Sequence, residues 1–156
     1  MARGTARIRR WVGGLLGLGL LAGCAAPRPP ADPLGTVVTV YFSPTCGCCK
    51  EWIRYLQVHG VQVHGVLQDD LRPLKERLGV PEAVRGCHTA RVGPYTVEGH
   101  VPVEAIARLL QERPPVAGIA VPGMPAGAPG MGGTVAGPLE IVAFFPDGRF
   151  TVWMRW

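Results

Sequence analysis

The segment TVVTVYFSPTCGCCKEW, residues 36–52, decides the fold. Its first seven residues are β-branched and apolar, which predicts a buried strand over residues 36–42. The sequence SPT interrupts that strand, and apolar residues at helical spacing begin at Cys48. A strand followed at once by a helix places the three cysteines of the connecting loop at the N-terminus of the helix.

Downstream, strands and helices keep alternating. We expect a helix over residues 48–59, a strand over 61–67, a short helix from Asp69 or Asp70 to 78, strands over 89–93 and 95–100, and a helix over 103–112. This order of elements predicts an α/β, thioredoxin-like fold.

The C-terminal third has a different composition. Residues 114–138 consist mainly of Gly, Pro and Ala, which predicts a loop that forms no core. Residues 139–156 contain two apolar runs around PDG and predict a C-terminal β-hairpin.

The N-terminus has the pattern of a targeting segment. Its start is Arg-rich, and the apolar run that follows is too short and too Gly-rich to span a bilayer easily. The sequence LAGC at the end of this run resembles a lipobox. We expect a lipoprotein signal peptide over residues 1–23, lipidation of Cys24, a Pro-rich tether over 24–35 and one domain over 36–156. The protein would then sit in the bacterial cell envelope, facing the periplasm. Ala25 favours the outer membrane if the host is Gram-negative.

Charge and motifs exclude several function classes. Four arginines of the leader carry most of the net charge of +5, and the rest of the chain has 12 basic against 11 acidic residues. This nearly balanced charge gives no indication of a basic surface that binds nucleic acid. The sequence also shows no phosphate loop, no Ser-His-Asp pattern and no defensible pair of catalytic carboxylates.

The cysteine cluster carries the chemistry. A helix N-terminus lowers a thiol pKa, and the thiolate both attacks disulfides and binds metals. Cys46 and Cys49 have the spacing of a dithiol oxidoreductase, with Cys48 as an additional sulfur. Adjacent helical residues diverge by about 100°, so Cys48 and Cys49 suit different ions of one cluster better than one ion. Three close thiolates therefore favour a polynuclear thiolate centre more than a single tetrahedral zinc.

Cys87 is the fourth candidate. In a thioredoxin-like layout its position, just before the third strand, faces the cysteine loop and normally holds a cis-proline. A sulfur there favours a metal ligand, while the alternatives are a small buried residue or half of a structural disulfide. If Cys87 faces the site, strand alternation points His88 away from it.

The motifs YFSPTCGCCKEW, LGVP, CHTARVGPYTVEGHVP and VPGMPAGAPGM resemble those of the periplasmic copper-resistance family CopG. The resemblance covers roughly residues 37–131. It implies a thioredoxin-like fold and copper bound through the cysteines as a thiolate-bridged cluster, here Cys46, Cys48, Cys49 and Cys87. It also implies copper resistance, delivery or redox conversion, with copper efflux or chaperone proteins as partners.

Further ligands and other functions stay open. Met124 and Met131 lie in the Gly/Pro loop, where a thioether could bind Cu(I) or fill an apolar gap. His100 could be a ligand or a solvated or capping residue. The rival functions are a thiol–disulfide oxidoreductase that uses Cys46 and Cys49, and a structural zinc site.

Overall fold

The computed structural model describes residues 1, 32–134 and 136–156. Its elements follow in the order β1 (Val38–Phe42), α1 (Gly47–Val58), β2 (Val63–Leu67), α2 (Arg72–Arg77), a 3₁₀ turn (Glu82–Val84), β3 (His88–Val92), β4 (Tyr95–Glu98), α3 (Val103–Glu112), β5 (Gly118–Ala120), β6 (Glu140–Phe144) and β7 (Phe150–Arg155). The predicted α/β class is confirmed. The predicted signal peptide, the lipid site at Cys24 and most of the tether lie outside the described residues.

All seven strands form one sheet in the order β2-β1-β3-β4-β5-β6-β7. β2 runs parallel to β1 and β5 runs parallel to β4, while the other neighbouring pairs are antiparallel. The first four strands with the three helices are compatible with the predicted thioredoxin-like layout. Within the described residues, no helix is long and apolar enough to cross a membrane.

The sheet is covered on both faces. Alternate residues of each strand point to opposite faces, and the apolar side chains divide accordingly. One face packs against α1 and α3 through Trp52, Leu56, Ile106 and Leu109 in the main core. The other face carries a smaller cluster that includes Val80 and Val84 before β3, and Phe144 of β6.

One prediction about the fold is wrong. Residues 114–138 were expected to form a loop without a core, yet β5 lies within them, between β4 and β6 in the sheet, with Ile119 fully buried. Gly118 allows this close packing, because a Cβ there would overlap the carbonyl of Thr96. The predicted hairpin over the last residues is confirmed as β6 and β7.

Candidate metal centre

Cys46, Cys48 and Cys49 lie at the start of α1, as predicted. Cys46 is the N-cap residue, and its Sγ accepts a hydrogen bond from the backbone N–H of Cys49 at 3.3 Å. In the structure Cys46 and Cys49 form a disulfide with a Cα–Cα distance of 5.4 Å, which lies within the usual range for such bonds. Cys48 remains a free, half-buried thiol between them.

Cys87 completes a cluster of four sulfurs. It lies just before β3, and its Sγ is 3.6 Å from that of Cys48, which is itself 3.6 Å from Cys46 Sγ. The four Sγ atoms all lie within 4.8 Å of one another. The structure therefore brings together the four cysteines that the sequence singled out.

Two histidines extend the cluster. His100 Nε2 is 3.3 Å and His88 Nδ1 is 3.4 Å from Cys87 Sγ, and both rings are fully buried. The expectation that His88 points away is wrong. β3 begins at His88, so the alternation of the strand does not extend back to Cys87. A solvated role for His100 is equally wrong.

Burial sets the protonation states of this cluster. Desolvation raises the pKa of the Cys87 thiol to about 12, and the hydrogen bond and charge of Cys48 act in the same direction. Desolvation also lowers the pKa of His88 well below its usual value and lowers that of His100. The metal-free centre thus favours a neutral Cys87 thiol and neutral imidazoles.

A segment of the Gly/Pro-rich region contacts one histidine of the cluster and the backbone of α1. We call residues 122–131 the strap. The Pro129 carbonyl accepts a 2.7 Å hydrogen bond from His100 Nδ1, and Gly130 (φ +77°) packs so closely on α1 that a Cβ there would lie 2.5 Å from Trp52 N. The strap therefore fixes the orientation of one histidine of the centre.

The two predicted methionines of the strap occupy different environments. Met124 has a positive φ of 47° and is 40% exposed. Met131 is half-buried and packs against the main core, as do Cys46, Cys48 and Cys87. Of the two, Met131 is thus the one that packs against the same core as these cysteines.

Behind Cys87 lies a buried ion pair that the sequence did not reveal. Glu98 of β4 accepts hydrogen bonds from Lys75 Nζ and from the Gly86 N–H at 2.7 Å through Oε1, and from Thr89 Oγ1 at 2.8 Å through Oε2. Lys75 Nζ also donates to Thr89 Oγ1 at 2.8 Å. Since Gly86 directly precedes Cys87, Glu98 holds the loop that presents the fourth sulfur.

All four residues of β4 are buried, and Glu98 is one of them. A buried carboxylate needs a hydrogen-bonded or cationic partner, so its position indicates that such a partner exists. The sequence does not say which cation supplies it, because Lys75 is 23 residues away on another element.

Fold and site together define a mixed α/β protein with a cysteine–histidine centre of the kind that holds a soft metal ion or exchanges disulfides. Comparisons with known proteins narrow this class. A family described as "Protein of unknown function, DUF411" matches residues 84–131. Curated protein sequences give no match.

Two solved structures are similar to this chain. "Copper resistance protein copG- Form 1" is 38% identical, covers 77% of this chain and 96% of its own, and superimposes with a TM-score of 0.70. "Copper resistance protein copG- Form 2" is also 38% identical, with coverage of 78% and 98% and a TM-score of 0.71. The chain belongs to the CopG copper resistance protein family.

Proposed function

We propose that this chain binds Cu(I) as cargo at its four-cysteine centre, with more than one ion per chain, for copper resistance, delivery or redox conversion. The observation that carries the proposal is the gathering of four Sγ atoms within 4.8 Å of one another. Thiolates are soft ligands that favour Cu(I), and the similar structures are described as copper resistance proteins.

The four cysteines can all act as ligands for soft ions only when they are fully reduced. Two of the four sulfurs are joined in the Cys46–Cys49 disulfide, and a disulfide sulfur is not a thiolate ligand. Loading the full centre therefore needs a two-electron reduction of this bond. His100 Nε2, Met131 and the more exposed Met124 are the candidates for additional ligands.

His88 also supports a ligand-binding role. Its Nε2 is buried and has no hydrogen-bond partner in the described part of the chain. A buried polar atom without a partner costs about 1–3 kcal/mol, which a bound group close to the ring could relieve.

The cellular setting completes the proposal. We place the domain in the bacterial envelope, anchored through a lipid on Cys24 and facing the periplasm, on the outer membrane if the host is Gram-negative. Copper efflux or chaperone proteins would then deliver or receive the ions. Lipidation is tested by metabolic labelling with an alkyne fatty acid, which Cys24→Ser should abolish.

Cu(I) stoichiometry tests the centre itself. The full chain carrying Cys24→Ser is reduced, loaded with Cu(I) without oxygen, and analysed for metal per chain. We expect a ratio above one, and X-ray absorption should show short Cu···Cu scattering. A ratio at or below one removes the polynuclear centre.

Cys48→Ser tests the role of the third sulfur, and it should reduce the metal capacity. Glu51→Gln, on an exposed residue of the same helix, serves as the matched control and should leave the capacity unchanged. Equal capacity in Cys48→Ser and the control would show that the third sulfur is idle.

The Cys46–Cys49 disulfide also favours a second candidate function, thiol–disulfide oxidoreductase. That function predicts turnover in an insulin-reduction assay that survives Cys87→Ser. Copper cargo binding predicts instead that Cys87→Ser weakens Cu(I) retention.

A further inference from the structure

Two cysteines of the centre do not take part in the Cys46–Cys49 disulfide and remain free thiols. Cys48 and Cys87 are both free and half-buried, and their Sγ atoms lie 3.6 Å apart. They come from different elements, since Cys48 lies in the first turn of α1 and Cys87 lies in the loop before β3. The two pairs share no sulfur, so a bond in one pair does not consume a thiol of the other.

We propose that Cys48 and Cys87 close a second disulfide, so that the centre stores four electrons rather than two. A disulfide needs its sulfurs about 2.05 Å apart, so the two Sγ atoms must approach by about 1.5 Å. Side-chain rotation in Cys48 and Cys87 supplies this movement without moving the backbone that Glu98 holds at Gly86. The strained bond between neighbours Cys48 and Cys49 is not required.

The step balances with Cu(II) as the oxidant. Two thiols and two Cu(II) ions give one S–S bond, two Cu(I) ions and two protons, which pass to solvent or buffer. The same balance holds for Cys46 and Cys49, so complete oxidation of the reduced centre converts four Cu(II) ions to Cu(I). The identity of this oxidant rests on the proposed copper function, whereas the second disulfide rests on the geometry alone.

The two-disulfide state has a different capacity for metal. All four sulfurs are then bonded in pairs, and no thiolate remains to hold an ion. The centre therefore passes between a reduced form that retains Cu(I) and a fully oxidised form that releases it. The form with one disulfide, which the structure shows, is the intermediate of that exchange.

Thiol counting tests the second disulfide without copper. The full chain carrying Cys24→Ser is reduced, oxidised with diamide, alkylated and weighed intact. We expect no free thiol, whereas Cys87→Ser should leave one, on Cys48. In the triple variant Cys24→Ser, Cys46→Ser, Cys49→Ser, oxidation should remove the mass of two hydrogen atoms and link the tryptic peptide ending at Lys50 to that beginning at Gly86.

Two alkylated thiols remaining in the Cys24→Ser chain after excess diamide would overturn the second disulfide. Free Cys48 and Cys87 in the triple variant would do the same. Circular dichroism checks each variant for folding, and Cys48→Ser, which should leave one free thiol on Cys87, gives an independent reading if Cys87→Ser unfolds.

A copper arm separates this inference from the proposed function. The reduced chain receives excess Cu(II) and a Cu(I)-specific chelator, and the Cu(I) formed should be four per chain, falling to two in Cys87→Ser. A diamide-formed disulfide with no Cu(I) produced would remove Cu(II) as the oxidant and leave the bond established. If the chain retains several Cu(I) ions but only two of its thiols can be oxidised, the proposed Cu(I) binding is supported and the second disulfide is overturned.

Discussion

His100 donates its Nδ1–H to the carbonyl oxygen of Pro129 at 2.7 Å, and this bond leaves Nε2 unprotonated and 3.3 Å from Cys87 Sγ. A carbonyl oxygen can only accept, so the partner fixes the tautomer of the neutral ring. Metal-binding histidines commonly use such a second hydrogen bond for orientation. The strap therefore orients a histidine of the centre, although the four cysteines of that centre lie on other elements.

Gly130→Ala should detach the strap from α1. Its Cβ would lie 2.5 Å from Trp52 N, at a φ of +77° that disfavours L side chains. We expect a loss of about 1–3 kcal/mol of stability by urea unfolding, and a roughly tenfold weaker Cu(I) affinity through the displaced His100. Gly132→Ala is the matched control, because a Cβ there meets nothing within 4 Å. Equal stability of the two variants would contradict the strap contact.

Acid should destabilise the metal-free protein. Burial lowers the folded-state pKa of both His88 and His100 below the usual 6.5, so the unfolded chain binds more protons once the pH falls under that value. Stability is therefore fully present above about pH 6.5 and declines below it, by up to about 1.4 kcal/mol per pH unit for each histidine that stays neutral.

Urea unfolding of the disulfide form between about pH 7.5 and about pH 5.5 measures this slope. His88→Gln should reduce the slope, while His64→Gln, at an exposed position of β2, should not. A flat profile in the unsubstituted protein would show that the two rings are charged or exposed in the fold.

Breaking the buried ion pair should be costly. Lys75→Met leaves the Glu98 carboxylate buried with no cation, and we expect a loss of about 3–5 kcal/mol. Arg54→Gln removes one partner of the exposed Glu51–Arg54 pair and should be close to neutral. Chemical denaturation compares them, and similar midpoints would mean that solvent reaches Glu98.

The methionines of the strap should differ in their effect on Cu(I). Met131→Leu preserves volume at a half-buried position against the core and should weaken Cu(I) retention by removing the thioether. Met124→Leu, at a position that is 40% exposed, should change it little. Competition with a Cu(I) chelator ranks the two variants, and the reverse ranking would assign the thioether ligand to Met124.

Local patterns predicted much of the fold. Strand β1 has a β-branched, apolar run, and helices α1 and α3 each have a periodic apolar pattern long enough to identify. The three cysteines mark the start of α1. β5 escaped prediction because three residues, Gly-Ile-Ala, are too few to show a period. Only its neighbours in the sheet, β4 and β6, make this segment a strand.

Some residues of the site could also be predicted from local sequence patterns, and others could not. The cysteines were found because their residue type and spacing are visible in the sequence. His88 was misplaced because the boundary of β3 decides its direction, and boundaries are the least certain part of sequence reasoning. The Lys75–Glu98 pair joins α2 to β4, and its existence depends on tertiary packing alone.

Trp52 gives this protein an intrinsic fluorescent reporter. Its indole contacts the ring of His88, with 4.4 Å between centroids, and donates a hydrogen bond to the Val101 carbonyl. Trp153 and Trp156 lie on or next to the C-terminal hairpin. Copper or a change in thiol redox state at the centre would quench or shift the emission of the buried indole first. Titrations of the unlabelled chain can therefore follow each step at the sulfurs optically.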